Sequence, residues 1–280
     1  MTYSLFQTDA FIRAGVAGFT GNPAAVVPLQ NWLPDPVMQA IAAENNLSET
    51  AFFIRNKDGI YDIRWFTPVN EVDLCGHATL ASAQVIVQEL GDQRPRIPFR
   101  CDIGELAADV DQTDGTLWLD FPVRKAVPAD DMALQQALAE ALDTDICGVY
   151  TARDLLVELA DEDRVLNCRP DFSKLAQLDT FAVTITAKAV SPGYDFVSRF
   201  FAPQQGINED PVTGSSFCSL TPFWAERLHC TELRAWQCSA RGGDIRQRLS
   251  GNRVKIGGKA FTYLRGQIRL PAGCAEKSFF

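Results

Sequence analysis

The sequence predicts an α+β fold of two pseudo-symmetric domains, each an antiparallel, barrel-like sheet around a central helix. Two observations support this prediction. Similar groups of residues recur about 135 residues apart in the 280-residue chain. Each group combines short, alternating strand patterns, such as residues 61–66, with one strongly apolar helix. The strands do not alternate regularly with helices, which disfavours a parallel doubly wound sheet.

The recurrence rests on landmarks that keep their order in both halves while short insertions change their spacing. The pairs, first half then second half, are Thr50 and Thr180, Pro68 and Pro203, Gly76 and Gly214, Leu90 and Leu228, and Cys101 and Cys238. Several matches in the same order indicate a duplicated unit.

An apolar helix is predicted after the glycine in each half. The residues on one helical face are Leu80, Ala83, Val87 and Leu90 after Gly76, and Phe217, Leu220, Trp224 and Leu228 after Gly214. Pro222 leaves two alternatives for the second helix. It lies in the interior and kinks the helix, or the helix begins near Thr221 with Pro222 at its first position.

Composition disfavours three classes of protein, namely those that bind nucleic acids, span membranes or are secreted. The formal net charge is −9, which is not typical of proteins that bind nucleic-acid backbones. The sequence contains no run of 18 apolar residues, so no membrane-spanning helix is predicted. The first ten residues do not resemble a signal peptide. The eight cysteines are scattered without metal-binding spacing, so we expect buried, reduced thiols and no metal. We therefore expect a cytoplasmic protein with neither nucleic-acid nor membrane partners.

The mirrored glycines predict a binding site. Gly76–His77 and Gly214–Ser215 both lie where an extended segment turns into a helix. Free backbone N–H groups at a helix start attract anions, so two such turns would hold a small carboxylate between the halves. The alternative is that each glycine only forms a turn and that Ser215 only caps its helix.

Few side chains offer acid–base chemistry in this pattern. His77 lies in the mirrored turn, where an imidazole can relay a proton or simply make a structural hydrogen bond. Glu49 stands between apolar residues at the start of a strand, where burial suits a general acid–base, although an exposed glutamate is ordinary there. Asp210 precedes the second turn, where it is either a further acid–base candidate or a solvated acid in a loop. His229 follows the second helix and is expected at the surface.

Cys75 raises the question of a racemase with one thiol from each half. The mirror position of Cys75 is Thr213, whose hydroxyl is far too weakly acidic to act as a second thiol. We therefore expect Cys75 to be packed rather than catalytic. No Rossmann, P-loop or nucleophile-elbow motif is present, so the sequence points to no cofactor.

Six short segments carry a resemblance to a known family. They are Gly21–Asn22–Pro23–Ala24–Ala25–Val26, Leu47–Ser48–Glu49–Thr50, Leu74–Cys75–Gly76–His77–Ala78–Thr79, Asp210–Pro211–Val212–Thr213–Gly214–Ser215, Arg241–Gly242–Gly243 and Arg253–Val254–Lys255–Ile256–Gly257–Gly258. In this order they resemble the phenazine-biosynthesis PhzF-like family, within the diaminopimelate-epimerase fold.

The resemblance implies an active site between two domains and a homodimer. It places the domains at residues 1–118 and 119–280, with strands near 267–280 able to return to the first domain. It implies isomerisation of a small carboxylate by proton transfer, which in the family's best-understood member is a cyclic, unsaturated compound. Glu49 would take and return the proton. The other catalytic residues, which would bind the substrate and share in handling the proton, would be His77, Asp210 and Ser215. The substrate-binding residues would be Asn22, Gly76 and Gly214, with the N–H groups of the two glycines holding the carboxylate.

Two other functions remain as alternatives. A non-catalytic protein that kept the cleft would bind a small carboxylate without turnover. An amino-acid epimerase or racemase, the fold's other chemistry, needs a second base on the opposite face, and Thr213 counts against it.

Overall fold

The computed structural model describes residues 1–271, which form two compact units. The first contains residues 1–120 and 257–271, and the second contains residues 121–256. The sequence predicts strands near 267–280 that can return to the first domain, and residues 272–280 of this range lie outside the described residues. The division into independent domains at residue 118 stays a prediction.

Eighteen strands and six α-helices make up the described chain. The strands are β1 (Thr2–Ala10), β2 (Asn22–Leu29), β3 (Glu49–Arg55), β4 (Tyr61–Phe66), β5 (Glu71–Val72), β6 (Arg96–Cys101), β7 (Gly104–Val110), β8 (Leu117–Pro122), β9 (Val127–Pro128), β10 (Gly148–Thr151), β11 (Leu155–Glu158), β12 (Val183–Lys188), β13 (Phe196–Ala202), β14 (Ile207–Asp210), β15 (Glu232–Gln237), β16 (Gly243–Ser250), β17 (Arg253–Gly258) and β18 (Ala260–Arg269). The helices are α1 (Asp35–Asn45), α2 (Gly76–Gln88), α3 (Met132–Leu142), α4 (Glu162–Asn167), α5 (Phe172–Leu175) and α6 (Phe217–Leu228).

The first unit is a mixed sheet in the order β18–β1–β2–β3–β4–β6–β7–β8. Most neighbours are antiparallel, as expected, but β2–β3 and β4–β6 are parallel. Parallel neighbours need a long crossover, and here α1 and α2 supply the two crossovers. The α+β fold class is confirmed, with this addition to the predicted antiparallel sheet.

Helix α2 is the central helix of the first unit. Nine of its 13 residues are buried, and it contacts β1, β2, β3, β7 and β18. Small residues such as Ala78 and Ala81 let the surrounding strands approach closely, and Ser82 donates its hydroxyl to the Ala78 carbonyl. The prediction that Leu90 lies on its buried face is wrong, because the helix ends at Gln88 and Leu90 is 48% exposed.

Helix α1 packs on a separate hydrophobic core. Val37, Met38, Ile41 and Ala42 of this helix are buried in a cluster that also contains Phe52 of β3. The helix ends at Asn45 and is capped by Asn46 in the left-handed conformation, and three residues after this cap the chain enters β3 at Glu49. The packing of α1 thus fixes where Glu49 begins its strand.

The second unit repeats the pairing scheme of the first. Its order is β9–β10–β11–β12–β13–β15–β16, with β11–β12 and β13–β15 parallel. The duplication predicted from the landmarks is therefore visible in the strand order. One landmark pair is displaced, because Thr50 lies opposite Phe66 while Val183, not Thr180, lies opposite the corresponding Phe201.

Helix α6 resolves the two alternatives for Pro222. It begins at Phe217, after a short 3-10 turn at Gly214–Ser216, and Pro222 lies in its interior. A proline has no N–H to donate to the carbonyl four residues earlier, which is that of Cys218. The backbone N–H of Arg124 donates to this carbonyl instead, at 2.9 Å. The helix therefore tolerates Pro222 without an orphaned acceptor.

The cysteines and helices bear on two further expectations. Seven cysteines are described and all are free, but Cys147 is exposed and Cys101 and Cys230 are half-buried, so the expectation of uniformly buried thiols is wrong. Cys274 lies outside the described residues. Among the described helices, none has the length and apolar character that crossing a membrane requires.

Candidate active site

Three elements of the first unit begin at one place. Asn22 is the first residue of β2, Glu49 the first of β3, and Gly76 the first of α2. Because β2 and β3 run parallel, with Ala24 opposite Glu49, their first residues lie at the same end of the sheet. The fold thus brings together side chains that are far apart in the sequence.

Gly21 sets the position of Asn22. Its φ is +83°, and a Cβ atom there would lie 2.4 Å from the carbonyl oxygen of Ala10. Only glycine fits this backbone conformation and this close approach. The Asn22 side chain that follows is fully buried, so the predicted turn places an amide inside the unit.

Glu49 and His77 form the centre of the site. The Glu49 Oε2 and His77 Nε2 atoms lie 3.0 Å apart, and the two side chains are 13% and 7% exposed. An imidazole this close to a carboxylate can share or exchange a proton with it. The structure therefore pairs the two acid–base candidates that the sequence singled out.

The other ring nitrogen of His77 faces two polar groups. His77 Nδ1 lies 3.4 Å from Asn22 Nδ2 and 3.5 Å from Cys75 Sγ. Ser48 donates its hydroxyl to Asn22 Oδ1 at 3.3 Å and so orients the amide. Neutral Nδ1 accepts from Asn22, and protonated Nδ1 donates to the Cys75 sulfur. In both states Nε2 carries a proton, and this nitrogen is the one that lies 3.0 Å from Glu49 Oε2.

Burial and charge oppose each other at His77. Burial lowers the pKa of His77, but the interactions with its neighbours Cys75 and Glu49 raise it, and the net direction is upward. Burial, followed by the charge of Glu49, raises the pKa of the Cys75 thiol. The thiol is therefore neutral at neutral pH, and the Glu49 carboxylate is the group that stabilises the imidazolium.

The corresponding turn of the second unit, which precedes α6, is held by hydrogen bonds among Asp210, Thr213 and Gln237. Thr213 donates its hydroxyl to Asp210 Oδ2 and its backbone N–H to Gln237 Oε1. The Gln237 amide donates to the Asp210 carbonyl at 2.9 Å. Gln237 is fully buried, and sequence reasoning missed it because it lies 24 residues after Thr213, in another strand.

Ser215 lies in the 3-10 turn that precedes α6, and its side chain is half-buried. Its hydroxyl oxygen accepts a hydrogen bond of 3.2 Å from the Arg153 guanidinium. Asp154 pairs with Arg153 at 2.8 Å, and the guanidinium also lies 4.5 Å from the Phe181 ring centroid. Arg153 is a second residue that the sequence motifs did not single out.

The sequence-predicted residues thus fall into two groups. The structure brings Asn22, Glu49 and His77 together in the first unit, with Gly76 at the start of α2. Asp210, Gly214 and Ser215 follow β14 in the second unit. The roles of both groups stay predictions. His229 is exposed at the end of α6, as expected from its place in the sequence.

The fold defines a class of protein, those built on the racemase-type α+β fold. The fold is shared with a hydroxyproline epimerase from Agrobacterium vitis, at a TM-score of 0.59 and 11% identity, with 98% of this chain and 95% of that chain covered. At such low identity the match concerns the fold alone.

The family follows from closer matches. The phenazine biosynthesis-like protein family model matches residues 9–266, and the chain belongs to this family. An uncharacterized isomerase of Pseudomonas aeruginosa is 46% identical over 270 residues, covering 96% of this chain and all of that protein. The crystal structure of a PhzF-family phenazine biosynthesis protein from Enterococcus faecalis matches at a TM-score of 0.88 and 43% identity, covering 96% and 100% of the two chains. The protein is an isomerase of this family.

Proposed function

We propose that the protein is a cofactor-independent isomerase that moves a proton on a small carboxylate by general acid–base catalysis. The observation that carries the proposal is the buried contact of 3.0 Å between Glu49 and His77. A carboxylate held beside an imidazole is suited to removing a proton from carbon and returning it.

Glu49 acts as the base in this proposal. The imidazolium of His77, whose pKa is raised, stabilises the Glu49 carboxylate before the reaction. When Glu49 takes the substrate proton it becomes neutral, and it then returns the proton to another carbon on the same face of the substrate. One carboxyl group can fill both roles because acid and base are the same group in opposite protonation states.

The start of α2 provides donors for the substrate carboxylate. The first intrahelical bond runs from the Thr79 N–H to the Cys75 carbonyl, so the N–H groups of Gly76 and His77 have no intrahelical acceptor. Cys75 precedes the helix without a side-chain cap. These N–H groups belong to His77 itself and to the residue before it, and they suit an anion at the positive end of the helix dipole.

Residues of the second unit complete the proposal by resemblance. Ser215 and Asp210 are proposed to bind the substrate and assist proton handling, and Gly214 to present its N–H group. Fixed donors of this kind stabilise the negative charge that develops when a C–H proton leaves. We also propose that the protein acts as a homodimer in the cytoplasm, and light scattering of the purified protein tests the oligomeric state.

Proton NMR in deuterated water tests the proposed function. The protein is incubated with a panel of small unsaturated and amino carboxylates, and deuterium entry at carbon is followed. Glu49→Gln is compared with wild type, and Glu44→Gln, on the exposed face of α1, is the matched control. Exchange by wild type and the control but not by Glu49→Gln supports the proposal. Equal exchange by all three removes Glu49 from the mechanism.

A further inference from the structure

Glu49, Cys75 and His77 form a cluster of three different donor groups. Each offers one ligand atom, a carboxylate oxygen, a sulfur and a ring nitrogen, and these atoms all lie within 4.8 Å of one another. The ring of His77 lies between the other two groups, with Nδ1 3.5 Å from the Cys75 Sγ and Nε2 3.0 Å from the Glu49 Oε2, and one of these two nitrogens serves as the ligand atom. The proton transfer proposed above uses Glu49 and His77 but assigns no chemical role to the sulfur of Cys75.

The donor set has the chemistry of a zinc site. Zinc binds sulfur at about 2.3 Å and nitrogen or carboxylate oxygen at about 2.0–2.2 Å, usually in a tetrahedron. In such a tetrahedron neighbouring ligand atoms are roughly 3.3–3.7 Å apart. A small inward movement of side chains that already lie within 4.8 Å would reach this geometry. Three protein ligands leave a fourth position for water, as in zinc sites that are open to solvent.

The surroundings also suit an ion that prefers thiolate and imidazole. Cys75 is 7% exposed and His77 6% exposed, so the ligands are shielded from bulk water. Their positions are fixed by the backbone, since Cys75 immediately precedes α2 and His77 lies in its first turn. Hard ions such as Mg²⁺ prefer oxygen ligands and would gain little from the sulfur or the ring nitrogen.

We propose that Glu49, Cys75 and His77 bind Zn²⁺ reversibly, and that the bound ion inhibits the isomerase by occupying its acid–base pair. Binding replaces the thiol proton of Cys75 with a zinc–sulfur bond and the proton on one ring nitrogen of His77 with a zinc–nitrogen bond, and both protons leave to solvent. The carboxylate of Glu49 and one ring nitrogen of His77 then hold the ion and are withdrawn from proton transfer. No oxidation or reduction takes place.

Metal binding is tested with Zn²⁺ alone, without a substrate. Isothermal titration calorimetry compares wild type with Cys75→Ser and Glu49→Gln. Cys101→Ser is the matched control, because Cys101 is also a free cysteine of the first unit. We expect one Zn²⁺ per wild-type chain, the same affinity in Cys101→Ser, and an affinity at least about tenfold lower in each of the other variants. Thermal melts confirm that every variant is folded before it is titrated.

Cobalt substitution identifies the ligands. Co²⁺ bound to a thiolate gives a charge-transfer absorption band, which we expect in wild type and Cys101→Ser and not in Cys75→Ser. Undiminished zinc binding by Cys75→Ser, equal loss in Cys101→Ser, or no binding by folded wild type would each overturn the proposal. These results do not depend on turnover, so they are distinct from a failure of the proposed isomerase function.

Inhibition is tested once the NMR panel has supplied an exchanging compound. Zn²⁺ is expected to stop exchange by wild type, a chelator to restore it, and Cys75→Ser to exchange at similar rates with and without Zn²⁺. Equal inhibition of wild type and Cys75→Ser would show that the ion acts elsewhere.

Discussion

The turns that precede α2 and α6 are built on the same strand order yet carry different chemistry. In the first unit Cys75 and His77 stand beside Glu49, whereas their counterparts in the second unit are Thr213 and Ser215. The strand register places Ala182, just before β12, where the first unit has Glu49. The duplicated fold therefore provides two helix starts, and only the first has an acid–imidazole pair. This difference supports a mechanism with one base rather than with two matched thiols.

The largest expected effect separates Glu49 from Cys75. Glu49→Gln removes the proposed base, and we expect the deuterium-exchange rate of the best compound to fall by at least about 100-fold. Cys75→Ser removes the thiol and is expected to leave the rate within about threefold of wild type, because the thiol takes no part in proton transfer. NMR exchange rates at saturating substrate measure both. Loss of exchange in Cys75→Ser alone would revive a thiol-based racemase.

The His77–Glu49 contact should also appear in the pH dependence of stability. Because the folded-state pKa of His77 is raised, its contribution is complete below the unfolded pKa and is lost as pH rises through the folded pKa. We expect His77→Gln to lower the free energy of unfolding by about 1–3 kcal/mol near about pH 6, and by less near about pH 9. Urea denaturation at both pH values measures the difference. A deficit that grows with pH would contradict the raised pKa.

A substitution that removes hydrogen bonds from the turn before α6 should chiefly lower the stability of the protein. Gln237→Ala deletes an amide that bonds both Asp210 and Thr213, so buried polar groups lose their partners. We expect the free energy of unfolding to fall by about 1–3 kcal/mol. Gln136→Ala, at an exposed position of α3, is the control and should be nearly neutral. Equal changes in the free energy of unfolding of the two variants, measured by urea denaturation, would show that Gln237 does not stabilise this turn.

The smallest effect is expected at Ser215. Its hydroxyl is proposed to give the substrate one hydrogen bond, so Ser215→Ala should raise KM by about 2–10-fold and change kcat much less. Ser173→Ala, exposed in α5, should change neither value. Steady-state kinetics on the compound found by NMR measures both constants. A fall in kcat as large as that of Glu49→Gln would place Ser215 in the proton transfer itself.

The sequence predicted the parts of the fold that leave a local pattern. Gly76 and Gly214 marked the two helix starts because glycine and apolar spacing recur in both halves. Asn22, Glu49 and His77 came from short motifs, and the structure shows them in one place.

Other features depend on contacts between distant residues. Gln237 and Arg153 reach the second turn from other strands and loops, so no local spacing could reveal them. The parallel strand pairs depend on crossovers rather than on side-chain alternation. The sequence wrongly predicts Leu90 on the buried face of α2, because a helix buried on most sides has little periodicity to show where it ends. Pro222 could not be placed because the donor that replaces its N–H belongs to Arg124, far away in the sequence.

The most direct test of the central claim is the deuterium-exchange rate at saturating substrate for wild type, Glu49→Gln and Ser215→Ala, measured side by side by proton NMR. The account predicts that exchange is lost in Glu49→Gln and persists in Ser215→Ala, because the proton is moved by the pair in the first unit. Exchange that persists in Glu49→Gln and is lost in Ser215→Ala would contradict it and would place the base in the second unit.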